Sequence, residues 1–156
     1  MNQTMTSFGG VAATTTVGPI TYEPARNGLG LRIKPNTKVE WASVTFPATF
    51  GYQFWLTPKN IGTTTEITIL ELGTASSATL RLGYDEVDEE VFLTDGSGVR
   101  LVAKLTLKND EPVAVCIVQT PTYRKLMAGS INGEPAIAQK SAPPIGNITK
   151  MRLYWA

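Results

Sequence analysis

The densest group of ionisable side chains in this sequence is Asp85-Glu86-Val87-Asp88-Glu89-Glu90, five carboxylates in six positions. Such a run offers hard oxygen ligands of the kind that hold Ca²⁺. Calcium loops also use backbone carbonyls and a turn residue such as Gly, and this run contains no Gly, Asn or Ser. It reads first as a solvated loop between strands; an acidic patch facing a neighbour's Arg or Lys and a cation site are the other readings. No metal is expected. Paired carboxylates could also cleave a glycosidic bond. Glu66 and Glu71 flank an apolar strand but lie five positions apart, and strict alternation puts them on opposite faces.

Nucleophilic chemistry has no support. The chain has no histidine, so a Ser-His-Asp relay cannot form. Its single cysteine, Cys116, lies inside the apolar run Val113-Ala114-Val115-Cys116-Ile117-Val118, where it reads as a small buried hydrophobe. Gly28-Leu29-Gly30 and Gly96-Ser97-Gly98 are too short to cradle a phosphate and open no helix. The expectation is a protein that catalyses nothing and takes no cofactor. The aromatic residues Trp41, Tyr52, Phe54, Trp55, Tyr84, Tyr123, Tyr154 and Trp155 could stack on sugar rings, but read first as core or interface residues.

The elements that carry these residues are short. Period-two alternation runs through Gly28–Lys34, Glu66–Leu72 and Ile148–Trp155. Val39–Phe46, Tyr52–Leu56, Ala78–Tyr84, Glu90–Leu93, Val99–Leu107 and Thr122–Gly129 are further strand candidates, each closed by Pro, Gly, Asn or Asp. Val113–Val118 is almost continuously apolar, which suggests cover on both faces. About ten to twelve short strands are predicted, and no helix, so the fold class is all-β: an antiparallel sandwich. At 156 residues the chain makes one domain. Residues 1–19 are uncharged and rich in Thr, Gly, Ala and Ser. They are expected to form an extended arm that neighbouring subunits order, with residues 20–156 as the sandwich.

The order of the pieces resembles the jelly roll of the concanavalin A-like lectin and laminin G-like superfamily. Tyr52-Gln53-Phe54-Trp55-Leu56-Thr57-Pro58 is similar to its aromatic early strand. Leu80-Arg81-Leu82-Gly83-Tyr84-Asp85 looks like its strand ending in Gly-x-Asp, and Asn132-Gly133-Glu134 like its late hairpin. The resemblance spans roughly residues 20–156 and implies a jelly-roll-like sandwich of the type used in phage virion proteins. The superfamily's calcium site has no clear counterpart.

Charge narrows the partners. Fourteen basic and 13 acidic side chains leave a net charge of +1, without the basic excess that phosphate neutralisation needs. Nucleic acid is not expected. No run of 18 apolar residues occurs, so no membrane-spanning segment is expected. Two functions follow. The leading one is a virion structural protein, a phage capsid decoration or cement protein assembled in the host cytoplasm. It would bind the major capsid protein or other virion proteins as a homo-oligomer such as a trimer. Phe8, Val11, Val17, Ile20, Tyr22, Tyr154 and Trp155 are its candidate partner-binding residues. The alternative is a lectin-like carbohydrate-binding module of a tail fibre or adhesin, with Asp95, Asn109, Asp110 and Asn132 as candidate sugar ligands.

Overall fold

A computed structural model describes residues 7–8, 11–12, 15–18, 21–25, 28–33, 37–59, 66–74, 78–146 and 148–154. They form, in chain order, β1 (Ser7–Phe8), β2 (Val11–Ala12), β3 (Thr15–Val17), β4 (Thr21–Ala25), β5 (Gly28–Arg32), β6 (Lys38–Trp41), β7 (Phe50–Leu56), β8 (Glu66–Gly73), β9 (Ala78–Asp85), β10 (Glu90–Asp95), β11 (Arg100–Lys104), β12 (Val113–Gln119), β13 (Tyr123–Ser130), β14 (Ala136–Ser141) and β15 (Lys150–Tyr154). A seven-stranded sheet has the order β11-β10-β9-β8-β15-β6-β3, and a four-stranded sheet the order β14-β13-β12-β7. Two short ladders, β1-β2 and β4-β5, complete the described strands. Every ladder is antiparallel. The chain is an all-β sandwich.

The core lies between the two large sheets and follows from period-two burial. In β12, Val113, Val115 and Ile117 are buried, and in β13 Leu126 and Ala128 join them. The seven-stranded sheet answers with Val39, Leu70, Leu72, Leu80, Leu82, Val91, Leu93 and Leu101. The apolar run at 113–118 is therefore covered on one face only: Ala114, Cys116 and Val118 are half-buried on the outer face. Its uniform hydrophobicity reflects an apolar outer surface, not a second layer of protein over it.

Two departures from simple alternation matter. The strand expected over Val99–Leu107 ends at Lys104, and residues 105–112 cross irregularly to β12. In β8, the register with β9 shifts between Thr68 and Leu70. This bulge turns Ile69 and Leu70 both toward the core. It resets the parity, so Glu66 and Glu71 share the outer face instead of opposing each other. Glu66 meets Arg81 and Arg100, and Glu71 meets Arg152.

The N-terminal segment, expected as an arm for neighbours, contributes an edge strand to its own sheet. Thr15–Val17 pairs with Lys38–Glu40 of β6. That pairing covers β6, which would otherwise expose a row of unpaired backbone groups.

Candidate functional site

A concave feature of the described surface lies where residues 105–112 face the β13–β14 turn. Leu107, 5% exposed, anchors the first segment in the core. Its backbone N–H donates to the Tyr84 hydroxyl oxygen at 3.2 Å. Burial pushes the Tyr84 hydroxyl pKa up, and the acidic groups of the β9–β10 turn add to this. The chain then reverses at Asn109–Asp110. Asp110 adopts φ 66°, the left-handed region that Asp tolerates better than most residues. Its N–H donates to the Pro58 carbonyl at 2.9 Å, and its carboxylate pairs with the Lys59 ammonium.

The opposite wall is the turn after β13. The Gly133 N–H donates to the Ser130 carbonyl at 3.2 Å, and the Ile131 N–H to the Pro112 carbonyl at 3.1 Å. The Ser130 hydroxyl donates to the Glu111 carboxylate and accepts from the Asn132 N–H at 3.2 Å. Ser130 and Glu111 thus tie two walls that come from distant parts of the sequence. Between them is an open groove of about 560 Å³ lined by Lys104, Thr106, Lys108, Glu111, Ser130 and Asn132, among others. Ammonium groups, hydroxyls, a carboxylate and an amide line it together. Such a set can donate to and accept from a polyhydroxylated ligand.

Beside the groove lies the acidic turn. Residues 86–89 connect β9 to β10, as expected for a solvated loop. Carboxylate oxygens of Asp85, Asp88 and Glu90 lie within 4.8 Å of one another. One Asp85 oxygen accepts from the backbone of Val87 at 2.9 Å and of Asp88 at 3.1 Å, which shapes the turn. Glu90 is buried and countered by Lys104 at 2.9 Å and Arg100 at 3.5 Å. The Lys104 ammonium also donates to the Asp88 carbonyl at 3.0 Å. Its pKa is raised, chiefly by the hydrogen bond to Glu90.

The candidate sugar ligands divide between the two ends of the sandwich. Asn132 lines the groove, and Asn109 and Asp110 form the turn beside it. Asp95 lies at the far end, where its carboxylate organises the β10–β11 turn. It accepts from the N–H groups of Ser97 at 2.9 Å and Val99 at 3.0 Å, while Gly98 supplies φ 93°. Its other oxygen pairs with Arg124. Of the candidate partner-binding residues, Ile20 and Trp155 lie outside the described residues. Phe8, Val11, Val17, Tyr22 and Tyr154 belong to β1, β2, β3, β4 and β15, and their side chains lie outside the described part. The groove's Lys104, Thr106, Lys108, Glu111 and Ser130 carry no motif. The turn signals Asn109-Asp110 and Asn132-Gly133 mark the two segments, but nothing in the sequence marks their meeting.

No family model matches the sequence, and no curated protein matches it. Solved structures do. The enzymatically active domain of tailspike protein 2 of bacteriophage CBA120 aligns over 86% of this chain at TM-score 0.58 and 13% identity. This chain covers 24% of that tailspike chain, about a quarter of its length. The carbohydrate-binding module CBM66 from Bacillus subtilis aligns over 90% of this chain and 86% of its own, at TM-score 0.52 and 14% identity. Domain 4 of AbnA, an extracellular arabinanase from Geobacillus stearothermophilus solved with arabinotriose, aligns over 88% of this chain and 75% of its own, at TM-score 0.51 and 12% identity. What is shared is the fold. These likenesses agree with the expected jelly-roll-like sandwich.

Proposed function

We propose that this chain is a non-catalytic carbohydrate-binding module of a phage virion, and that the groove between residues 104–111 and 130–133 receives the sugar. The observation that carries this reading is the groove's lining. Charged, hydroxyl and amide groups line one open cleft whose two walls the Ser130–Glu111 hydrogen bond ties to each other. Sugars are recognised by such mixed donors and acceptors. The likeness, over most of both chains, to a carbohydrate-binding module and to an arabinanase domain solved with arabinotriose supports the ligand class. The likeness to a phage tailspike supports placement on a tail instead of a head. The capsid-decoration reading needs the N-terminal segment to reach a neighbour, whereas Thr15–Val17 pairs with β6 of its own chain. That pairing favours the sugar reading. Several copies on one particle would add avidity to weak single sites.

The test is a glycan array of bacterial surface polysaccharides, followed by calorimetry on the bound glycan. Removing the Lys108 and Asn132 side chains together, as Lys108→Ala with Asn132→Ala, deletes two hydrogen-bonding groups worth about 1 kcal/mol each. The expected result is binding by the native protein and a loss of at least about tenfold in the variant at unchanged Tm. Failure to bind any glycan, together with co-sedimentation on phage heads, would return the function to capsid decoration.

A further inference from the structure

Asn132 is placed so that its own backbone can attack its side chain. Residues 131–135 are all exposed. The Asn132 backbone N–H donates to the Ser130 hydroxyl at 3.2 Å, but among the described residues nothing hydrogen-bonds its side-chain amide. That amide is therefore free to turn toward the following residue. The following residue is Gly133, whose backbone nitrogen no side chain shields. Among the described residues, a Cβ built on Gly133 would meet only the Ser130 Cβ, at 3.8 Å, so the turn is open there. The Gly133 N–H is held by one surface bond, to the Ser130 carbonyl at 3.2 Å. Asn109, the other asparagine among the described residues, is guarded better. Its successor Asp110 carries a side chain, and the Asp110 N–H donates to the Pro58 carbonyl at 2.9 Å.

We infer that Asn132 is a deamidation site, and that its conversion weakens glycan binding in the groove. The Gly133 nitrogen gives up its proton to hydroxide and bonds to Asn132 Cγ. The Cγ–Nδ2 bond breaks, and the nitrogen leaves as ammonia. Water then opens the cyclic imide at either carbonyl. One opening gives aspartate, and the other gives isoaspartate, in which the backbone runs through the former side chain. The thermal lability of asparagine has this origin. The product matters because Asn132 lines the groove together with Glu111. An amide that donates and accepts becomes a carboxylate that only accepts. The new charge joins the Glu111 carboxylate, which has no ion-pair partner among the described residues. Isoaspartate also lengthens the backbone inside the turn that the Gly133–Ser130 bond closes. The loss of binding rests on the carbohydrate-binding reading above; the conversion itself does not.

The experiment ages the full chain at mildly alkaline pH and follows each asparagine by peptide mapping, which separates Asn132 from Asn27, the other asparagine that precedes a glycine. Native protein, Gly133→Ala and Asn132→Asp are compared. Gly133→Ala shields the nitrogen, and the open space beside it lets the fold accept the methyl. Asn132 should convert well ahead of Asn109, faster at higher pH, and Gly133→Ala should slow it by about tenfold. Calorimetry with the glycan selected on the array then reads the consequence. Asn132→Asp and aged native protein should both bind about fivefold or more weakly than fresh protein, at unchanged Tm for Asn132→Asp. Aged Gly133→Ala should keep its affinity. An Asn132 that converts no faster than Asn109 refutes the site. Conversion with affinity intact refutes the effect on the groove. If fresh protein binds no glycan, the carbohydrate reading and the effect on binding fall together, while the map alone still decides the conversion.

Discussion

Arg124 Nη1 lies 2.7 Å from Asp95 Oδ2 with the guanidinium fully withdrawn from solvent. The pair joins the two sheets at the end of the sandwich opposite the groove. Arg124 Nε donates to Gln119 Oε1 at 2.7 Å, and the Gln119 amide donates to the Thr120 carbonyl at 2.6 Å. Arg124 Nη2 has no acceptor among the described residues. The arginine thus depends on Asp95 for its counter-charge.

Removing that counter-charge is expected to be costly. Asp95→Ala leaves a buried guanidinium unpaired, and such losses run to about 3–5 kcal/mol. The double variant Asp95→Ala with Arg124→Met removes both charges and should recover most of that loss, since apolar replacement of a buried pair is often neutral. Urea unfolding of the three variants and the native protein measures the difference. A loss below about 1 kcal/mol for Asp95→Ala would show that the pair does not hold the sheets.

Acid should destabilise the fold through two carboxylates. Burial alone pushes the Asp95 carboxyl up, but donors from Arg124, Ser97 and Val99 outweigh it and hold its pKa below the usual range. Glu40 behaves likewise: burial pushes it up, and Arg152, Lys150 and Lys38 bring it down further. A carboxyl with a depressed folded pKa binds fewer protons folded than unfolded, so its stabilisation is present above the unfolded value and fades as pH falls toward the folded one. The unfolded values are about 4. The urea midpoint should therefore decline as pH drops below about 4, and decline less steeply in Asp95→Asn with Glu40→Gln. Equal slopes in native and variant proteins would assign the acid sensitivity elsewhere.

Much of the sandwich is legible in the residues themselves. Alternation marks β5, β8 and β15, and the Asn132-Gly133 signal falls at a real turn. Of the acidic run, residues 86–89 are the turn, with Val87 exposed, while Asp85 ends β9 and Glu90 begins β10 and is buried against its cations. The bulge in β8 is not legible, because Ile67-Thr68-Ile69-Leu70 keeps its β character whichever way each residue faces. Nor is Arg124: Tyr123-Arg124-Lys125 looks like a solvated surface, yet the register puts Arg124 inward and Lys125 outward. The groove is hidden for a different reason. Ser130 and Glu111 meet only because β12 and β13 pair in one register, and a tertiary meeting leaves no local trace.

Gly83 provides a sharp test of the outer face of the large sheet. Phe92 is opposite Gly83 in the β9–β10 ladder and turns outward, yet is fully buried. The guanidinium carbons of Arg81 and Arg100 cover its ring at 5.1 and 3.9 Å from the centroid. A Cβ on Gly83 would lie 2.5 Å from the Phe92 ring and 2.5 Å from the Ile67 carbonyl oxygen. The carbonyl cannot yield without disturbing the β8–β9 ladder. Gly83→Ala should therefore destabilise by about 1–3 kcal/mol, as overpacking does, despite the better strand propensity of Ala over Gly. Pairing it with Phe92→Leu should relieve only the ring clash, so thermal unfolding of the double variant should recover part of the loss and not all of it.

The acidic turn invites a metal test, and the neighbouring cations decide the expected outcome. Three carboxylates close together need counter-charge, and a divalent ion is one way to supply it. Here Lys104 reaches Glu90 at 2.9 Å and the Asp88 carbonyl at 3.0 Å, while Arg100 reaches Glu90 at 3.5 Å. Asp85 spends one oxygen on two backbone N–H groups of the turn. An incoming cation would have to displace the Lys104 ammonium and meet the repulsion of Arg100. Millimolar Ca²⁺ should therefore leave Tm within about 2 °C of its value in EDTA, which for a chain of this size corresponds to less than about 1 kcal/mol. Thermal unfolding in the two buffers at equal ionic strength measures it. A rise well beyond that with Ca²⁺, absent with Mg²⁺, would mean that the cluster exchanges its lysine for an ion.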